Sequence, residues 1–523
     1  MPRDTTLQTD VCIVGAGAAG ITLARELSGS PLRVTVLESG GFEYEVETQA
    51  LYEGPSIGLP YSDLSAPRLR YFGGTTNHWG GICRPFEEAD FEAREGIRFT
   101  GWPIRKEDVD PFYERAVQVV RLPSDDWDLA DWAPDGEVAP LRLRSDRIVS
   151  RVAQVVAADL RSFGESYREE LRAAPNVTVY LHANATGVVA DEGARTATSV
   201  PVATLSGNHF SVEARVFVLA TGAIENARLL LVSNGQAPAG LGNGNDLVGR
   251  FFLEHPRFLA GFIAPSSPHP NLGFYENHRV GGALVRGYLA SSKDVQLAEG
   301  LLDLQIRLEP DYGDPPEDAS DFARHVMTLA ADVEGWQRIA IPGPPVPVPY
   351  LDVIREALQS PEDTYIHLRG RIETIGLSTR MEQAPNPDSR VMLLRERDQL
   401  GMPRVALDWR LSDVDRRNVR RTLELLGAEV GAAGIGRVRI LHGEDESGWP
   451  DDLNGGQHHM GTTRMSGDPK QGVVDGHCRV HGMSNLFVAG SSVFPTPGGA
   501  TPTLMLVALA IRLADQLKGT MLR

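Results

Sequence analysis

Residues 11–40 read VCIVGAGAAGITLARELSGSPLRVTVLESG, and the order of residue types there decides how the chain begins to fold. Val11, Cys12, Ile13 and Val14 form a short apolar run, which suits a strand buried on both faces. Gly15-Ala16-Gly17-Ala18-Ala19-Gly20 follows, and then a segment in which Ile21, Leu23, Ala24 and Leu27 share one helical face. A second apolar run, Val34 to Leu37, ends at Glu38. Strand, helix and strand in so short a span imply a parallel pair and hence an α/β sheet. The glycines have separate tasks: Gly15 makes the tight turn, Gly17 lets the backbone approach a diphosphate, and Gly20 lets helix and strand pack closely. The helix N-terminus turns free N–H groups toward that diphosphate. Glu38, 23 residues after Gly15, is placed to accept hydrogen bonds from an adenosine ribose, and a carboxylate there argues against a 2′-phosphate. Three glycines at these offsets arise by chance roughly 0.5 times in a chain of this glycine content, so the flanking strand, helix and acid carry the specificity. The stretch indicates a bound dinucleotide without choosing between NAD and FAD.

Outward from this unit, YFGGTTNHWGGICRPF (71–86) is glycine-dense, which suits close backbone approach to a flat ligand. Helical stretches occupy about 103–170, and strand character returns at 176–191 and 214–233, the latter as a strand, a Thr-Gly turn and a helix of the same sheet. The C-terminal stretch 455–517 holds a strand (NLFVAGSS), a Pro/Gly loop (PTPGGATPT) and a long apolar helix expected to complete the N-terminal sheet. IPGPPVPVPY (341–350) reads as an extended, rigid connector. At 523 residues, 42% hydrophobic and 23% charged, the chain is a globular protein of two or three domains. Its net charge of −18 excludes a polyanion binder, so no nucleic-acid partner is expected, and only a cationic substrate would make that charge more than a solubility device. Cys12, Cys83 and Cys478 make no disulfide framework and no metal-ligand spacing. With no signal-peptide pattern at the N-terminus, and LMLVALAI (504–511) too short for a membrane span, the expected location is cytoplasmic.

The segments 10–41, 71–86, 214–233, 246–256 (DLVGRFFLEHP), 382–393 (EQAPNPDSRVML) and 455–515 together resemble the glucose–methanol–choline (GMC) flavin oxidoreductases, most nearly their pyranose oxidase and bacterial sugar dehydrogenase branch. The resemblance implies a Rossmann-like FAD-binding domain, discontinuous over 1–105, 170–250 and 451–523, and an antiparallel-sheet substrate domain over 106–169 and 251–450. It implies FAD, held by Gly15, Gly17, Gly20 and Glu38, by Gly74, Thr75, Asn77 and His78, by the backbone near Val188, and by Gly490 and Thr503. His78, in Asn77-His78-Trp79, stands where some relatives attach FAD covalently; a covalent link and a non-covalent contact both remain open.

The resemblance further implies alcohol oxidation, with His458 near the flavin as general base and a second polar residue beside it. That second position is Thr501 here, where the family has Asn or His. A neutral imidazole suits proton removal near neutral pH. His459 is the alternative base, and Arg464 faces either the site or an internal salt bridge. His477 and His481, flanking Cys478, lack a zinc quartet and imply no metal. The expected reaction oxidises a secondary hydroxyl of a sugar, glycoside or polyol, with oxygen, a quinone or a protein as electron acceptor; a redox-neutral lyase with structural FAD is the alternative. Residues 106–170 and 251–450 are expected to line the pocket, with His255 and His367 among unranked contacts.

Overall fold

The computed structural model describes residues 5–133, 138–311, 372–441 and 448–522. The 341–350 tract and His367 lie outside them. The Thr5–Val14 strand runs parallel to Val34–Leu37 on one side and to His209–Leu219 on the other, and Val34–Leu37 pairs onward with Val177–Tyr180. The helix Ala18–Leu27 connects the first pair, as the glycine turn requires. The long strand His209–Leu219 is shared: residues 209–213 pair antiparallel with Ala197–Ala203, while Phe217–Leu219 pair parallel with Leu486–Val488 from the far end of the chain. The C-terminal helix Pro502–Met521 then packs on the helices Ala18–Leu27 and Asp110–Val120. One hydrophobic core therefore joins both ends of the sequence, from Val11 to Leu517.

A second sheet, mostly antiparallel, runs in the order Gly436–Ile440, Arg257–Pro265, Thr374–Met381, Leu304–Asp311, Ala283–Ser291, Ile148–Val155, Ile82–Cys83. It has its own core, centred on Phe252, Ile306, Leu377 and Trp409. The packing departs from the expected boundary at 105/106. Helix Asp110–Val120 contributes Tyr113, Ala116 and Val120 to the first core, as helix Phe163–Ala173 contributes Phe163, Tyr167 and Leu171. Both amphipathic faces are used up there, and none of the described residues of 106–169 lines the central cavity, against the expectation that these helices would. Conversely Ile82–Cys83, from the N-terminal part of the chain, is an edge strand of the second sheet. No helix among the described residues is long and apolar enough to cross a membrane.

Candidate active site

A cavity of about 500 Å³ runs between the two sheets, walled at one end by the glycine turn and at the other by His458 and His459. Gly15 has φ +102, and a Cβ on it would sit 2.7 Å from the Ala220 carbonyl oxygen, so only glycine makes this turn. Glu38 locks the turn to the second strand: Ala16 N–H donates to Oε2 (2.9 Å) and Gly40 N–H to Oε1 (2.9 Å). Burial holds its carboxyl above the ordinary value, with those backbone donors opposing. A carboxylate offers about four lone-pair sites, more than these backbone donors occupy, which leaves acceptor capacity for a ribose. Gly17 caps the Ala18–Leu27 helix, with no acidic residue in the first turn to compete for its free N–H groups. A Cβ at Gly17, Gly80 or Gly222 would meet nothing within 4 Å, so bare backbone faces the cavity at all three. A second helix N-terminus, capped by Thr501 with Pro502 in its first turn, enters the same cavity. Two helix N-termini and a glycine-lined trough between them fit a flavin dinucleotide.

At the other end, three residues distant in sequence form one unit. His458 Nδ1 lies 2.9 Å from His255 Nδ1, and His255 Nε2 lies 2.7 Å from the Gly498 carbonyl oxygen. A carbonyl only accepts, so His255 carries its proton on Nε2. Burial, with Arg380 and Arg257 adding to it against the Gly498 contact, pushes His255 down to about 3, so it is neutral and its Nδ1 accepts. His458 therefore donates from Nδ1, and its Nε2 is left as a lone pair. His458 is also held well below the ordinary 6.5 by burial, then by His255, Arg380 and Arg257. It lines the cavity half-buried, and its Nε2 has no hydrogen-bond partner among the described residues. Glu254 fixes both histidines at the backbone, its Oε2 accepting from His255 N (2.8 Å) and His458 N (3.1 Å). The Tyr61 hydroxyl donates to Glu254 Oε1 and stands 2.8 Å from His459 Nε2.

Of the residues singled out in the sequence, Gly15, Gly17, Glu38, Gly74, Thr75, His78, His458, Gly490, Thr501 and Thr503 line the cavity. Gly20, Asn77 and Val188 do not. A Cβ at Gly20 would lie 1.8 Å from the Gly15 oxygen, so it serves turn-to-helix packing rather than ligand contact. Asn77 braces the 71–86 loop, Nδ2 donating to Phe72 O (3.0 Å) and Oδ1 accepting from Ser162 Oγ (2.6 Å). Val188 N–H is taken by Ser233 Oγ (2.8 Å), and Ala183 and Ala185 wall the cavity nearby. Thr501 lines the cavity with its hydroxyl proton given to the Ile82 carbonyl, so toward a ligand it can act only as an acceptor. The neighbour that pairs with His458 is His255. His459 turns to Tyr61, and burial pushes it down to about 3. Arg464 makes no internal salt bridge among the described residues and does not line the cavity; it donates to Phe99 O (2.7 Å) and covers the Phe251 ring. His477 Nδ1 meets Gln516 Oε1 (3.0 Å) and His481 Nε2 donates to Ser466 O (2.9 Å).

Sequence reading left His255 unranked and missed Glu254, Tyr61, Arg257 and Arg380. The signal for the first two was Glu254-His255-Pro256 itself, a charged and polar pair between Phe251-Phe252-Leu253 and a strand.

Residues 385–510 match the family model described as GMC oxidoreductase. The chain is 26% identical to the 6'''-hydroxyparomomycin C oxidase of Streptomyces lividus over 96% of this chain and 90% of that protein. It is 24% identical to the paromamine 6'-oxidase of Streptomyces fradiae, covering 99% and 92%. The solved pyridoxine 4-oxidase from Mesorbium loti shares the fold, with a TM-score of 0.55 and 19% identity over 98% of this chain and 99% of that one.

Proposed function

We propose, for a chain that belongs through residues 385–510 to the GMC oxidoreductases, that the cavity oxidises a secondary hydroxyl of a sugar, glycoside or related polyol with His458 Nε2 as general base. The chain is an FAD-dependent oxidoreductase of CH–OH groups. Bound FAD supplies the two-electron acceptor for the carbinol hydride. The observation that carries the assignment of the base is the bare Nε2 of His458, left as the lone pair by the His255–Gly498 contact.

The residues divide the work. His458 Nε2 accepts the hydroxyl proton as the C–H bond gives up its hydride. The resulting imidazolium keeps its Nδ1 proton on His255 Nδ1, so no rearrangement of the pair accompanies the transfer. Glu254 holds both backbones in register. Thr501, its hydrogen given to Ile82, presents only lone pairs to the cavity and accepts from a second substrate hydroxyl.

Anaerobic mixing of the holoenzyme with a panel of sugars and glycosides, followed at about 450 nm, tests the reading, because loss of the oxidised-flavin band reports hydride transfer. Bleaching by at least one member is expected. His458→Ala lowers the reduction rate on the order of 10²–10⁴-fold while FAD stays bound. An unchanged rate moves the base elsewhere. No bleaching by any alcohol, with FAD in place, favours the redox-neutral lyase.

A further inference from the structure

The wall facing His458 carries a charge that no described residue neutralises. Arg257, Arg380 and Gln305 stand in one cross-strand row, since Arg257 pairs with Arg380 and Arg380 with Gln305 across three adjacent strands. Directly paired residues of antiparallel strands point to the same face. For this row that face is the cavity: Arg257 and Arg380 line it, and Gln305 Nε2 donates to the Gly499 carbonyl beside the Gly498 oxygen that holds His255.

Neither arginine side chain has a hydrogen bond or ion pair with any described residue, and Arg380 Nε is buried without a partner. Arg380 is 8% exposed. The other arginines of the wall are different. Arg68 and Arg70 share Glu225, which three guanidiniums, Arg228 first, hold down to about 2. Burial and the neighbouring Arg257 and Arg307 push Arg380 down to about 9, which still leaves it cationic at neutral pH. Burying an unpaired guanidinium is costly, and a fold that keeps two of them on one cavity wall gains most when an anion occupies the space before them.

We propose that Arg257 and Arg380 form an oxyanion receptor, so that the alcohol oxidised at His458 also carries an anionic oxygen group, a carboxylate or a phosphate. The inference rests on the alcohol-oxidation reading and narrows its substrate class. It reverses the expectation drawn from the net charge of −18: the molecule is acidic, yet the wall of its cavity is cationic. Two guanidiniums orient an oxyanion by paired N–H donors, and the group so anchored sets which hydroxyl reaches His458 Nε2.

Binding and reduction are measured separately on the holoenzyme, using glucuronate, glucose 6-phosphate, methyl glucoside and glucosamine. Binding is followed anaerobically by calorimetry and by perturbation of the flavin spectrum, and reduction by bleaching. At least one of the two anions is expected to bind about tenfold or more tighter than methyl glucoside, with glucosamine weakest. Which anion binds tighter distinguishes carboxylate from phosphate. In Arg380→Met, and independently in Arg257→Met, the anion-to-neutral preference falls to about one, while Arg380→Lys keeps part of it. Equal binding of all four ligands overturns the proposal. A preference that survives both Met substitutions overturns it as well, as does loss of FAD from the folded Arg380→Met protein, which would assign the arginines to the cofactor. If anions bind through the arginines but none of the four ligands or the wider alcohol panel bleaches the flavin, the oxidation reading fails and the oxyanion receptor stands.

Discussion

In the proposed reaction His255 decides which nitrogen of His458 serves as the base, and it does so through a carbonyl that can only accept. Removing the acceptor lets His458 rotate or change tautomer, so His255→Leu is expected to slow flavin reduction by about 10–100-fold with FAD content intact. His255→Asn keeps a carbonyl oxygen within reach of Nδ1 and recovers part of the rate; equal losses in the two variants would reduce His255 to packing. The same pair sets the pH dependence. His458 must be neutral to accept a proton, and burial with His255 and two arginines keeps it neutral well below 6.5. The acid limb of the reduction rate therefore falls well below pH 6.5 and moves upward in Arg380→Met, where one repelling charge is gone. Stopped-flow reduction across pH reads both; a limb at the ordinary histidine value would contradict the burial. His458 was singled out in the sequence through the resemblance that Gln457-His458-His459-Met460-Gly461 helps to carry. Its partner was not, because His255 lies 203 residues away and nothing local ties the two.

In the first strand–helix unit, two glycines three residues apart in the motif have separable tasks. Gly17 is extended (φ −85) and its missing Cβ opens on the cavity, whereas Gly20 lies against Gly15 oxygen at a distance no Cβ tolerates. Gly17→Val is expected to give a folded protein with little FAD. Gly20→Ala is expected to cost at least about 1–3 kcal/mol of stability, because the clash is with backbone that cannot swing aside. Thermal unfolding of the apoproteins and the FAD absorbance of purified samples separate the two; equal melting temperatures would refute the assignment. The unit itself was readable because strand, turn and helix are local and their apolar periods differ. The helices Asp110–Val120 and Phe163–Ala173 were readable as helices, but their amphipathic faces do not say which core receives them.

For the whole molecule, both ends of the chain build one sheet. Leu486–Val488 completes the His209–Leu219 edge, and Pro502–Met521 covers two helices that would otherwise expose an apolar face. A fragment ending at residue 250 should therefore lack a cooperative thermal transition and bind no FAD, as circular dichroism and absorbance would report. A cooperative, yellow fragment would show that the N-terminal part folds alone. By itself the sequence determined the βαβ unit and its fitness for a dinucleotide, because both rest on a local run of residue types whose chemistry needs that spacing; the flavin and the candidate His458 came through a resemblance carried by segments far apart in the chain. Only the tertiary structure decided the partner of His458, the carboxylate that clamps both histidines and the cationic wall opposite them. Those depend on strand register and on segments brought together across 200 residues of chain or more in the first case, and a side chain's neighbours in space, not in sequence, determine its tautomer and its charge.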